Sequence, residues 1–192
     1  MNMKILVIES EMKDFNDVLG CLPFDVQCHH ISSARDLDID NLSVDFGLCI
    51  SDLLEETGMK DVQYESNELC EAFNERIRIL SKLHQKLGCK LIINTKMPAI
   101  VILDRLNHLK DDPNVNCLFH NGYSDLSREL RLAAKVSDFL LYRSGDVFIV
   151  AKPYNTPCGE EIDIDRWRSK FTKLISHILD NFVESVPPVS VN

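Results

Sequence analysis

The chain has 192 residues, 45% of them hydrophobic and 27% charged, with 21 Lys and Arg against 30 Asp and Glu and a formal charge of −9. These proportions exclude a disordered, collagenous or coiled-coil chain, and the length suits one α/β domain over residues 1–184 followed by a short tail, 185–192, that contains Pro187-Pro188. A surface at −9 repels phosphate backbones, and the densest basic stretch, Arg166-Trp167-Arg168-Ser169-Lys170 with Lys173, reads as a solvated helix face, so no nucleic-acid partner is expected.

In chain order, Lys4–Ile8 is a continuous apolar run, as expected of a strand buried on both faces. A helical pattern follows from Met12 to Leu22, then a strand expected at Phe24–Cys28. Val44–Ile50 is the next strand, ending in Ser51-Asp52. From Ser66 to Leu87, the residues Leu69, Phe73, Ile77, Leu80, Leu83 and Leu87 recur at three- and four-residue spacing, which predicts the longest helix, with Gly88 as its stop. Cys89–Asn94 is another buried strand. Pro98 opens a helix to about Lys110, because proline suits the first helical turn.

Val115–Phe119 reads as a short strand, and Ser124 as the cap of a helix that buries Leu126, Leu130 and Ala133 or Ala134. Asp138–Tyr142 and Asp146–Ala151 complete the strands. A final helix from Ile164 to about Glu184 lines up Trp167, Phe171, Leu174, Ile175, Ile178 and Phe182. Short apolar runs alternating with helices predict a three-layer α/β sandwich around a largely parallel sheet.

The seven cysteines, at 21, 28, 49, 70, 89, 117 and 158, contain no C-x-x-C pair. They are odd in number and partly inside apolar runs, which favours reduced thiols in a cytoplasmic protein over a disulfide framework. The four apolar residues after Lys4 are too few for a signal sequence, and no run approaches the ~20 residues of a membrane span. No membrane partner is expected.

Ligands of doubly wound sheets collect at the carboxyl ends of the strands. The polar residues that fall there are Glu9-Ser10-Glu11, Ser51-Asp52, Asn94-Thr95-Lys96 and His120-Asn121-Gly122, joined by Asp163 and Asp165 before the last helix. Helix caps use the same residue types, so capping is the plain alternative for each one. The sequence has no G-x-G-x-x-G, P-loop, H-E-x-x-H, EF-hand or G-x-S-x-G motif. His29 and His30 follow a strand, where adjacent side chains point to opposite faces, which argues against a joint metal site. His84 reads as a packed histidine and His177 as an exposed one.

The succession of strand and polar turn, with Leu91-Ile92-Ile93-Asn94-Thr95-Lys96-Met97-Pro98 and the acidic segment before the last helix, resembles the SGNH (GDSL-like) hydrolase superfamily over most of the chain. That resemblance implies an esterase or deacylase acting on a small-molecule ester such as an acylated carbohydrate, without a cofactor. Ser10 would be the nucleophile, Ile50-Ser51-Asp52 would stand for the family's oxyanion-hole block with its acid kept and its amide lost, Asn94 after the fourth strand would be a further catalytic candidate, and Asp163 or Asp165 would lie in the acid–base block. The histidine of that block is replaced by Arg166 or Arg168, and arginine cannot take a proton from serine. His120 is the remaining candidate base, so a degenerate triad is expected.

The chain also resembles the receiver and pseudo-receiver domains of response regulators. Lys4–Glu11 is similar to the family's acid-ending first strand, Asp45–Leu54 to the strand that carries a phosphorylated aspartate, and Ala151-Lys152-Pro153-Tyr154 to its Lys-Pro segment. This resemblance implies Glu9, Glu11 and Asp52 around Mg²⁺, Asp52 as phosphoacceptor and Lys152 beside it. In its degenerate form it implies a non-catalytic signalling module that acts on a protein partner.

Overall fold

A computed structural model describes residues 3–42, 46–53, 67–119, 122–136, 139–153 and 163–184. The strands are β1 (Lys4–Ile8), β2 (Gln27–Ile31), β3 (Leu48–Ser51), β4 (Lys90–Thr95), β5 (Leu140–Ser144) and β6 (Val147–Ala151). The helices are α1 (Met12–Leu19), α2 (Asn67–Leu87), α3 (Ala99–His108), α4 (Pro113–Leu118), α5 (Gly122–Val136) and α6 (Ile164–Glu184). The strands form one sheet in the order β2-β1-β3-β4-β6-β5. Five of them are parallel, and β5 runs antiparallel to β6 at the edge. Without β5 the order is that of the flavodoxin-like doubly wound sheet, which response-regulator receivers share.

Strand periodicity splits the core between two faces. Leu6, Ile8, Cys49, Leu91, Ile93, Val147 and Ile149 pack with residues of α2, α3, α4 and α5. Ile5, Val7, Leu48, Ile50, Ile92, Phe148 and Val150 point the other way, onto Val18 of α1 and Trp167, Phe171, Ile175 and Ile178 of α6. The result is the expected three-layer α/β sandwich. In α2, Leu69, Phe73, Ile77, Leu80 and Leu83 are all buried, and Gly88 ends the helix with φ of +58°, a conformation glycine adopts freely.

The expected boundaries need several corrections. The second strand is Gln27–Ile31, three residues later than expected. It is an edge strand with no fully buried residue, so the apolar signal that marks central strands is weak there. Val115–Phe119 is not a strand. Pro113 begins a helix, and the Asp112 side chain accepts the Asn114 N–H at 2.8 Å. Val115 and Leu118, three residues apart, then face the core.

Pro98 is the residue before α3 rather than inside it, and Ser124 lies within the first turn of α5 rather than capping it. Ser144 and Val147 are paired across a two-residue turn, which only an antiparallel hairpin allows, and Gly145 provides the positive φ of 53° that such turns require. Residues 44–45 of the expected third strand, His120, Cys158 and the 185–192 tail lie outside the described residues.

Candidate functional site

β1, β3 and β6 end at the same edge of the sheet, with β4 between β3 and β6, and each delivers an ionisable residue to that rim. Glu9 follows β1, Asp52 follows β3 and Lys152 follows β6. The register fixes these positions: Ile8 pairs with Ser51, and Thr95 with Ala151. One residue further on, the Asp52 N–H donates to Ile8 O at 3.1 Å and the Lys152 N–H to Thr95 O at 2.9 Å. Asp14, in the first turn of α1, comes in over the rim.

The Lys152 side chain is 0% exposed. Its Nζ stands 2.8 Å from Glu9 Oε2, 2.8 Å from Asp14 Oδ2 and 2.7 Å from Asp52 Oδ2. An ammonium has three hydrogens, so three carboxylates saturate it. The remaining oxygens are mostly engaged as well. Glu9 Oε1 accepts the Glu11 N–H at 3.2 Å, and Asp52 Oδ1 accepts the Leu53 N–H at 2.6 Å. Asp14 Oδ1 is buried without a hydrogen-bond partner.

Lys96 is a second, outer cation, 3.1 Å from Asp14 Oδ2 and 3.5 Å from Glu11 Oε2. The cluster is therefore Glu9, Asp14 and Asp52 around a buried lysine, with Lys96 and Glu11 closing the mouth.

Burial pushes the Glu9 carboxyl up to about 7, and the neighbouring Asp52 charge adds to that, while Lys152 opposes it. Burial also acts to raise Asp14, but the Lys152 and Lys96 ammoniums outweigh it and hold that carboxyl below its ordinary range. Lys152 is desolvated too, yet the three carboxylates more than compensate and raise its affinity for the proton. The group is thus a charged lysine held by Asp14, Asp52 and a glutamate that titrates near neutrality.

The other expected residues are placed as follows. Ser10 is next to the cluster, but its Oγ is buried without a hydrogen-bond partner, so among the described residues no base stands in position to take its proton. His30 Nε2 bonds to Glu9 O at 2.8 Å, and its ring stacks on Phe15 with centroids 3.9 Å apart. His29 instead meets the edge of Phe46, so the two histidines do point apart. His84 is packed, with Nδ1 2.9 Å from Cys89 O, and His177 is exposed.

Asn94 is buried in β4 with Oδ1 unpartnered. Asp163 accepts the Asp165 N–H at 2.9 Å ahead of α6, the plain capping role. Asp165 is exposed and 3.8 Å from Arg168.

Glu9, Glu11 and Asp52 do not converge as a metal triad. Glu11 turns to Lys96, Asp14 takes the third place, and an ammonium already holds the oxygens a Mg²⁺ ion would use. Among the described residues no group of three His, Cys, Asp or Glu is set out to hold a metal ion. The residue that sequence reading missed is Asp14. Its signal is present, as it sits in the first helical turn after the strand-end acids, but an acid there looks like helix-dipole compensation.

Two contacts fix the rim from the α6 side. Trp167, fully buried, donates Nε1–H to Ala151 O at 2.8 Å, next to Lys152. Arg168 meets Asp17 of α1 at 2.7 Å.

No family model matches the chain, and no curated protein matches it. Among solved structures it is similar to the RcsB response regulator of Salmonella typhimurium, in a structure described by its conformational dynamism for DNA interaction. Identity is 15%, the TM-score is 0.37, and the match covers 97% of this chain and 79% of that one. At that TM-score the likeness carries no argument about function. None of the comparisons supports the hydrolase resemblance, and no described helix is long and apolar enough to cross a membrane.

Proposed function

We propose that this chain is a non-catalytic signalling module of pseudo-receiver type, which acts by presenting its surface to a protein partner. The observation that carries this reading is the saturated Lys152: three carboxylates stand within 2.8 Å of an ammonium that solvent does not reach. A phosphoacceptor aspartate must offer an oxygen to an incoming phosphoryl group beside a divalent cation. Both Asp52 oxygens are already engaged and the residue is buried. The doubly wound strand order puts this cluster where such sheets hold ligands, and here the ligand position is filled by the chain's own lysine.

In this role the cluster is a latch. It ties β1, α1, β3 and β6 into one rigid rim, so the faces of the adjoining helices are held in one arrangement. The test is intact mass after incubation with acetyl phosphate and Mg²⁺. The expected result is an unchanged mass. A gain of one phosphoryl group that disappears in Asp52→Asn overturns the reading in favour of an active receiver. Turnover of a short-chain nitrophenyl ester that is lost in Ser10→Ala overturns it in favour of the hydrolase.

A further inference from the structure

A hollow of about 560 Å³ lies between α3 and α5, on the sheet face opposite α1 and α6. Its volume falls in the range of small-ligand sites, and it shares no residue with the carboxylate cluster. Val101, Leu103 and Tyr123 give it apolar walls, while Arg105 of α3, Arg131 of α5 and Asp104 supply charge.

Arg105 is only 9% exposed. Its Nη1 donates to Cys70 Sγ, its Nε has no hydrogen-bond partner, and it has no ion pair with a carboxylate among the described residues. A guanidinium keeps its charge in a protein, and a thiol is a weak acceptor that supplies no countercharge. Burying such a group without an anion is costly, which makes Arg105 the feature of this hollow that calls for a ligand.

The chemistry narrows the ligand. With Nη1 engaged on Cys70 and Nε buried, Nη2 is the nitrogen left to meet an anion, and a guanidinium N–H donates a charge-assisted hydrogen bond to a carboxylate oxygen. Two arginines and one aspartate line the hollow, a net of one positive charge by count, in a chain at −9. One negative charge matches that balance. A dianionic phosphate would meet Asp104 and the field of the chain, and a polyanion would meet more of both.

We propose that this hollow binds a small monocarboxylate with an apolar body, its carboxylate on Arg105, Arg131 closing from α5, and its body against Val101, Leu103 and Tyr123.

The test is titration of the ¹⁵N-labelled full chain with phenylacetate, followed by amide and arginine Nε–H resonances. Saturable shifts confined to α3 and α5, with Kd on the order of 1 mM, are expected. Phenylacetamide, which keeps the body and lacks the charge, is expected to bind at least about tenfold more weakly, as is phenyl phosphate.

Arg105→Lys keeps the charge but loses the planar fork and is expected to weaken phenylacetate about tenfold. Arg131→Gln lies at an exposed position that does not endanger the fold and is expected to weaken it about threefold. Absence of saturable shifts, amide or phosphate binding as tight as the acid, or full affinity in both variants overturns the proposal.

Discussion

At the carboxyl ends of β1, β3 and β6, a lysine is buried with three carboxylates around it; between α3 and α5, an arginine is buried with a thiol. The same acidic chain thus surrounds one cation with more acid than it can neutralise and, among the described residues, gives the other no carboxylate partner. The first arrangement is closed within the chain, and burial, with the neighbouring Asp52 charge adding to it, drives Glu9 toward its neutral form. The second is left open toward a hollow. A buried charge is therefore no guide to function by itself. What matters is whether the chain completes its partners.

Removing each cation tests this contrast most directly. Lys152→Met leaves Glu9, Asp14 and Asp52 buried together without a counterion, and urea denaturation is expected to show a loss of about 3–5 kcal/mol. A loss below about 1 kcal/mol would mean that the lysine does not hold the rim.

The next effect is in pH. Glu9 binds its proton more tightly in the fold, at about 7 against 4.5 ordinarily. Between those two values the native state carries more protons than the unfolded chain, so this group's contribution is fully present below pH 4.5 and is lost as pH rises through 7. The wild type is expected to lose on the order of 3 kcal/mol of stability across that window from this group. Glu9→Gln, which cannot ionise, is expected to flatten the slope in urea denaturations run at several pH values. An unchanged slope would assign the effect elsewhere. Asp14, held below its ordinary range, works in the opposite sense, and its contribution fades only at lower pH.

Arg105→Met sharpens the comparison from the other side. It removes an incompletely partnered buried charge and is expected to leave stability within about 1 kcal/mol of wild type, or to raise it. A loss of 3 kcal/mol or more would place Arg105 in the same class as Lys152. The smallest effect belongs to the exposed pair Arg35–Glu75 at 2.8 Å. Arg35→Ala is expected to cost less than about 0.5 kcal/mol, because water competes for both groups.

Much of the fold is legible in the sequence, for a physical reason. The central strands are buried on both faces and read as unbroken apolar runs, and the long helices show their stripe at three- and four-residue spacing. The edge strand Gln27–Ile31 and the short helix at Pro113–Leu118 are where local pattern misleads. One exposes alternate residues, and the other packs two apolar side chains into too few residues for a helical period to show. At the rim, Glu9 and Asp52 follow from their strands, and Lys152 from its likeness to the receiver Lys-Pro segment. That they meet on one nitrogen, and that Asp14 joins them, depends on strand order and on where α1 crosses the sheet, which no local pattern records.

The partners of Lys152 are remote along the chain: Asp52 lies 100 residues earlier and Asp14 138 residues earlier. During synthesis, Glu9, Asp14 and Asp52 emerge long before Lys152, which follows β6, the last of the described strands in chain order. Until then the three acids repel one another in any nascent sheet. Closure of the rim thereby requires long-range pairing of the kind that slows folding, with β6 set between β4 and β5.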